Sequence, residues 1–324
     1  MRQTITLFVL ISTFFAGLCA AADGNKKAFL DAESAGPDFA VQGEYEGTIG
    51  KETKVGAQVI ALGDGNFDAV LYAGGLPGAG WDGKVKVRMS GETKGKETGF
   101  HGRNFDGKIV DGSFTGTAED DVPFEMKRVD RKSATLDMAP PEGATVLFDG
   151  SGVDEWADGK LFDDKLLAVG TRTKQKFGDF TLHLEFRTPF MPYARGQGRG
   201  NSGMYLLDQY ECQVLDSFGL EGLDNECGGI YKISKPAVNM CYPPLSWQTY
   251  DVEFAAARFD EAGKKVSAAV TTIRHNGVAI HDKLELPKAT PGGGQSDEKP
   301  GALYLQNHSN PVGFRNIWIV TKNE

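Results

Sequence analysis

The sequence predicts an all-β protein in two parts: a small meander or barrel, followed by a two-sheet sandwich or jelly roll. Three observations carry this. Apolar and polar residues alternate in short runs, the period of a strand. Glycines, 42 in all, punctuate those runs at turn positions. No stretch shows a convincing long helical period. The chain has 324 residues, more than one core usually serves, so two domains are expected.

Residues 1–22 read as a signal peptide. Arg2 supplies the positive start, 5–18 the apolar stretch, and Ala20-Ala21-Ala22 a small-residue cleavage site. Cys19 follows Leu18, where lipidation favours a small residue. No later stretch is apolar enough to span a bilayer. Residues 23 to about 45 read as irregular. The runs 55–62 and 67–72, joined by Gly63-Asp64-Gly65-Asn66, carry a hairpin signature. Further strand runs follow at 84–89, 99–105, 108–115 and 124–129. Residues 23–130 therefore form a small all-β accessory domain. In it His101 reads as a surface residue, and Tyr72 and Trp81 as either sugar-stacking or core aromatics. Residues 131–144, charged at first and ending in Pro140-Pro141-Glu142-Gly143-Ala144, read as a stiff linker.

The second domain, 145–324, has stronger signals. In the run 181–188, Leu182, Leu184 and Phe186 form one face, and His183, Glu185 and Arg187 the other. Strand runs follow at 203–207, 210–215, 247–255, 266–275, 278–281, 302–306 and 314–320. Asn276-Gly277 between two of them is a hairpin signal, and it places His275 and His281 on a hairpin surface.

A formal net charge of −9 argues against nucleic acid or an anionic membrane as partner and is compatible with a neutral carbohydrate. Removal of residues 1–22 leaves Cys212, Cys227 and Cys241. An odd count allows at most one internal bridge. Cys227 and Cys241 flank one loop and are the expected pair, with about 3 kcal/mol from loop closure. Cys212 is then a buried free thiol. Gly198-Arg199-Gly200-Asn201-Ser202-Gly203 matches GxGxxG but precedes a strand where a dinucleotide site needs a helix. His183-Leu184-Glu185 lacks the Pro-Cys-x-x-Cys partner of a zinc deaminase.

The candidate site begins with Glu211 and Gln213, which share a strand face. Asp216 joins them if a bulge inserts a residue. Sheet faces that merely pack do not need such groups. Glu185 and Arg187 on one run, and Tyr304, Gln306 and His308 on another, are the polar faces that would complete it. Asn201 lies in the glycine-rich loop, whose backbone can approach a ligand closely. The alternative is a solvated sheet face. No ligand spacing is diagnostic of a metal, so no metal residue is assigned and a divalent cation stays open, as does the oligomeric state.

Together, Leu147-Phe148-Asp149-Gly150, Gly178-Asp179-Phe180, Leu184-Glu185-Phe186-Arg187, Gly200-Asn201-Ser202-Gly203, Tyr210-Glu211-Cys212-Gln213-Val214-Leu215-Asp216-Ser217, Trp247-Gln248-Thr249-Tyr250 and Phe314-Arg315-Asn316-Ile317-Trp318 resemble the 3-keto-disaccharide hydrolase family, also described as 3-keto-glycoside lyase/hydratase. The resemblance runs from about residue 145 to the C-terminus. It implies a concanavalin-like, laminarinase-like jelly roll. The wider laminarinase-type glycosidases carry E-x-D-x-x-E, and Glu211, Gln213 and Asp216 occupy that spacing with an amide and a shorter acid. Ordinary retaining hydrolysis needs two carboxyls about 5 Å apart, which these substitutions put in doubt. A 3-keto sugar offers elimination across C1–C2 followed by hydration instead. On this reading Glu211 or Glu185 is the base, Arg187 or His308 faces the enolate oxygen, and Asp216 is the acid. A non-catalytic carbohydrate-binding protein and an ordinary endoglucanase are the alternatives on the same fold.

Overall fold

The computed structural model describes residues 27–163, 165–294 and 298–322. The expected signal peptide lies outside them. Eight antiparallel strands between Gly43 and Val129 close into a barrel, the first pairing with the eighth as well as the second. A short helix, Pro37–Val41, precedes it in the stretch expected to be irregular. Period-two alternation places Ala57, Val59 and Ala61 of the strand Thr53–Gly63 and Phe67, Ala69 and Leu71 of the strand Asn66–Ala73 in the interior, against Phe100, Phe114 and Phe124. Two expected single strands are hairpins. Asp111 and Gly112 both take positive φ (46° and 74°), so the run 108–115 turns between the strands Phe105–Val110 and Ser113–Thr117. Aspartate followed by glycine is the type I′ signal that splits it. The run 99–105 turns likewise at Asn104 (φ 60°).

The rest is a sandwich of a five-stranded and a larger sheet. Leu182, Leu184 and Phe186 of the strand Phe180–Arg187 meet Met204, Leu206, Cys212 and Val214 of the smaller sheet in one buried core. Asn276 and Gly277 form the expected hairpin turn (φ 51° and 81°).

Ile60, Val70 and Tyr72 point out of the barrel into the sandwich core. Tyr72 packs against Trp81 (centroids 5.0 Å apart) and donates to Gln58 Oε1, so both aromatics serve packing. His101 is exposed and its Nδ1 lies 2.6 Å from Asp106 Oδ1, as expected of a surface residue.

Three expectations need correction. The stretch read as a linker is docked. Arg131 binds Glu44 of the barrel through Nε (2.7 Å), Thr135 donates to Asp251 (2.6 Å), and the Asp137 N–H donates to Glu185 (2.6 Å). His275 and His281 are buried. His275 reaches Gln248 Oε1 (3.0 Å) and its pKa falls to about 3 by burial, while His281 binds the Gly228 carbonyl (2.7 Å). The strand Ala269–His275 lies inside the sheet, and the strand Val278–Leu286, at its edge, is covered at His281 by the loop at Gly228, neither of which sequence alternation alone reveals. Cys227 and Cys241 are free thiols, as is Cys212, and all three are buried. Cys227 Sγ lies 3.3 Å from the Tyr250 hydroxyl and Cys241 Sγ donates to the Leu215 and Tyr242 carbonyls (3.5 Å each), so the two thiols have other partners where the bridge was expected. Burial raises the Cys241 thiol.

Candidate active site

The outward face of the five-stranded sheet carries a row of side chains at one register. Arg172 pairs across strands with Tyr304, Tyr304 with Tyr205, and Tyr205 with Glu211. The next level holds Gln213 opposite Gly203, whose carbonyl accepts the backbone N–H of Gln306 (2.8 Å). Gly203 is required here. A Cβ at 203 would lie 2.4 Å from Glu211 Oε1, so the glutamate side chain occupies the space over the glycine.

Tyr205 donates its hydroxyl proton to Glu211 Oε2 (2.9 Å) and accepts from Gln306 Nε2 (3.2 Å). No donor among the described residues reaches Oε1. Glu211 is 3% exposed, and burial raises its pKa to about 7, a rise that the Tyr205 bond partly offsets. Gln197 Oε1 accepts from Asn201 Nδ2 and Gln213 Nε2, each at 3.2 Å. Asn201 Oδ1, Gln213 Oε1 and Gln306 Oε1 are buried without partners among the described residues. Buried polar atoms are normally paired. Three unpaired acceptors around one carboxylate suit a ligand bearing hydroxyl groups.

The structure brings together Glu211, Gln213, Asn201, Tyr304 and Gln306. His308 is exposed on the following loop, which is tied to the site where Asn310 Oδ1 accepts the Asn201 N–H (2.7 Å). Asp216 lies past the end of the strand Tyr210–Val214. Its Oδ2 accepts from Arg199 Nε (2.6 Å) and its Oδ1 from the Phe218 N–H (3.3 Å), so both oxygens are occupied.

Glu185 and Arg187 are on the other side of the molecule, facing outward from the larger sheet. Glu185 is fully buried under the 131–139 segment. It accepts from the Asp137 N–H, from Asn316 Nδ2 (2.9 Å) and from Arg315 Nε (2.8 Å). Burial alone would raise its pKa, but His183, Asn316, Asp137 and Arg315 together lower it. His183 is raised, because Asp251 (2.6 Å) and Glu185 outweigh its burial. Arg187 pairs with Asp163 (3.0 Å) and packs over Trp247. A cleft of about 550 Å³ lies beside this cluster, lined by Trp247, Lys165, Asp137 and Arg315. It is open, but the carboxylate beneath it is already saturated with donors. The Glu211 face is therefore the candidate site.

The sequence reading missed Tyr205, Gln197 and Arg172. The hairpin arithmetic of the runs 203–207 and 210–215 sets Tyr205 opposite Glu211, and that was the available signal. Among the described residues no three His, Cys, Asp or Glu side chains are grouped to hold a metal ion, and no helix is long and apolar enough to cross a membrane.

Residues 143–320, the sandwich with all the site residues named above, match the model of the 3-keto-alpha-glucoside-1,2-lyase-like domain. The chain belongs to this family. A crystal structure from Parabacteroides distasonis, described as a "putative glycosyl hydrolase", is 32% identical with a TM-score of 0.51, covering 56% of this chain and 85% of its own. A second from the same organism and with the same description is 18% identical, with a TM-score of 0.42, covering 57% of this chain and 99% of its own. No curated protein matches. The barrel lies outside the family's matched residues, and the candidate site lies within them.

Proposed function

We propose that the protein is an exported carbohydrate-active enzyme that cleaves 3-keto-glycosides by elimination at C1–C2 and hydration. The observation that carries this is the Glu211 carboxylate, with one oxygen held by Tyr205 and, among the described residues, no donor to the other and unpartnered amide oxygens beside it. A pKa near 7 suits a general base at neutral pH. Family membership supports the keto-sugar substrate. The apolar N-terminal stretch with its small-residue site supports export.

The 3-keto group acidifies the C2 proton. Glu211 takes it, the electron pair forms the C1=C2 bond through the enolate, and the C1–O bond breaks. His308, on the rim loop, protonates the leaving oxygen. Water then adds its oxygen to C1 and gives its spare proton back to His308, and Glu211, whose carboxyl proton exchanges with solvent once the alcohol has left, delivers a proton to C2. The sum is glycoside plus water giving 3-keto sugar plus alcohol. Asn201, Gln213 and Gln306 accept from the sugar hydroxyls, and Tyr205 holds the base in place. Glu185 and Asp216 serve structure in this scheme, the first under the docked segment and the second at Arg199.

Purified protein incubated with a 3-keto-glycoside and with its unoxidised parent tests the reading. Release of the alcohol from the keto form alone supports it. Cleavage of the parent favours an ordinary endoglucanase, and binding without cleavage of either favours a carbohydrate-binding protein.

A further inference from the structure

The loop 195–201 brings Gln197 and Asn201 to the Glu211 face, and its sequence does not fix its shape. Gly196, Gly198 and Gly200 stand at alternate positions, and each gives an unanchored backbone many more conformations to lose. The loop is nonetheless ordered. It forms a 3₁₀ turn, Gly196–Gly198, in which the Gly198 and Arg199 N–H groups donate to the Arg195 and Gly196 carbonyls (3.1 Å each). Packing supports it only in part, since a cleft of about 150 Å³ lined by Gly196, Ile60 and Leu62 lies where the loop meets the barrel. Two arginines, one on each side of Gln197, reach across to the barrel. Arg195 Nη2 donates to the Leu62 carbonyl (2.8 Å). Arg199 Nη1 donates to the Ala61 carbonyl (3.2 Å) and its Nη2 to Gln42 Oε1 (3.4 Å), which also accepts the Ala61 N–H (3.1 Å). Arg199 Nε meanwhile holds Asp216 (2.6 Å), whose N–H donates to the Arg199 carbonyl (3.1 Å).

One guanidinium thus ties the loop to the sandwich and to the barrel at once, which a planar fork of donors can do and a single ammonium cannot. Arg199 and Gln42 are 5% and 1% exposed, so these bonds stand in a low-dielectric setting that strengthens them. The barrel strand is also closely backed beside the loop. A Cβ at Gly63, the last residue of the strand Thr53–Gly63, would lie 2.5 Å from the Tyr193 ring. From these contacts we infer that the barrel positions the sugar-binding loop: through Gln42, Ala61 and Leu62 it holds Arg195 and Arg199, and these positioning residues set where Gln197 and Asn201 stand. Gln197 in turn orients the site amides. Its Oε1 accepts from both Asn201 and Gln213, and its Nε2 donates to the Asn225 carbonyl (2.7 Å). The inference rests on the Glu211 face being the carbohydrate site. It gives the barrel, which lies outside the family's matched residues, a part in substrate affinity. Asn201 and Gln213 bind hydroxyls and do not move the C2 proton, so loosening the loop should raise KM more than it lowers kcat.

The test compares Gln42→Ala with Gln42→Glu in the full-length protein, each with and without Arg195→Ala. Gln42→Ala removes the barrel's side-chain acceptor. Gln42→Glu keeps it and breaks no hydrogen bond, since Gln42 Nε2 has no partner among the described residues. Hydrogen exchange read by mass spectrometry follows the loop amides with no ligand present. They should exchange about tenfold faster in Gln42→Ala/Arg195→Ala, the worth of one charge-assisted hydrogen bond, and stay protected in Gln42→Glu. Calorimetry then measures the binding of a methyl 3-keto-glucoside to the same variants carrying Glu211→Gln, which removes turnover. Affinity should fall about tenfold in the double variant, as the fraction of loops in the site geometry falls, and should hold in Gln42→Glu. A purely structural role would lower stability and leave the affinity of the folded protein unmoved. Loop exchange unchanged in Gln42→Ala/Arg195→Ala, faster exchange with unchanged affinity, or a Gln42→Glu protein as loose as Gln42→Ala overturns the inference. If Gln42→Ala does not fold, Arg195→Ala, at an exposed position, carries the same comparison. The carbohydrate reading fails separately, if Glu211→Gln alone binds no keto-glycoside, and the barrel's hold on the loop is then decided by exchange.

Discussion

At the scale of residues, Glu211 decides the chemistry. A base must be deprotonated to act. With its pKa near 7, kcat/KM should rise about tenfold per pH unit below 7 and level off above it, and a pH–rate profile reads this directly. Glu211→Gln should lower kcat by about 10²-fold or more. The same shift affects stability with a defined sign. The folded protein binds this proton more tightly than the unfolded chain, whose carboxyl titrates near 4.5. Stability from the protonated group is therefore full below about 4.5 and is lost as pH rises through 7. Glu211→Gln should thus be more stable than wild type at pH 8, by on the order of 3 kcal/mol, with the gain shrinking towards pH 4.5. Urea denaturation at the two pH values measures the difference. Glu211 and Gln213 were legible in the sequence because two polar groups in an apolar run need a reason. Glu185 looked equivalent, since its run alternates just as cleanly. Which outer face a strand presents, and what covers it, depends on long-range packing that one run does not encode.

At the scale of elements, the segment 131–139 is the clearest departure from expectation. Its composition is that of a linker, yet its backbone N–H at Asp137 and its hydroxyl at Thr135 saturate a buried His183–Glu185–Asp251 cluster. Glu185→Ala would leave Arg315 and His183 without their buried partner and should cost about 3–5 kcal/mol of stability. The pH dependence of catalysis should not move in folded protein, whereas an enzyme using Glu185 as base would show a changed profile. The hairpins at Asn276-Gly277 and at residues 63–66 were legible because their turn chemistry is explicit. The site row was only half legible. Tyr205 required pairing two runs, and Arg172 required knowing that its short strand, Thr171–Thr173, joins the sheet beside Tyr304.

At the scale of the whole molecule, barrel and sandwich share a core. Ile60, Val70 and Tyr72 lie in it, and Arg199 donates to the Ala61 carbonyl (3.2 Å) while holding Asp216. The two parts should therefore unfold in one calorimetric transition. Tyr72→Ala should destabilise both by about 3–5 kcal/mol, and two separated transitions in wild type would refute the shared core. The division into a barrel and a sandwich was legible from strand spacing. Their union was not, because outward-facing Ile60 and Val70 look like ordinary members of an alternating strand.

On the proposed mechanism Glu211 removes the C2 proton of a 3-keto-glycoside. Turnover in D2O tests it most directly. Elimination and hydration should place one deuterium at C2 of the released 3-keto sugar, seen by mass spectrometry and NMR above the non-enzymatic exchange and absent with Glu211→Gln. Release of product with no enzyme-dependent deuterium at C2 would mean direct displacement at C1 and would contradict the account.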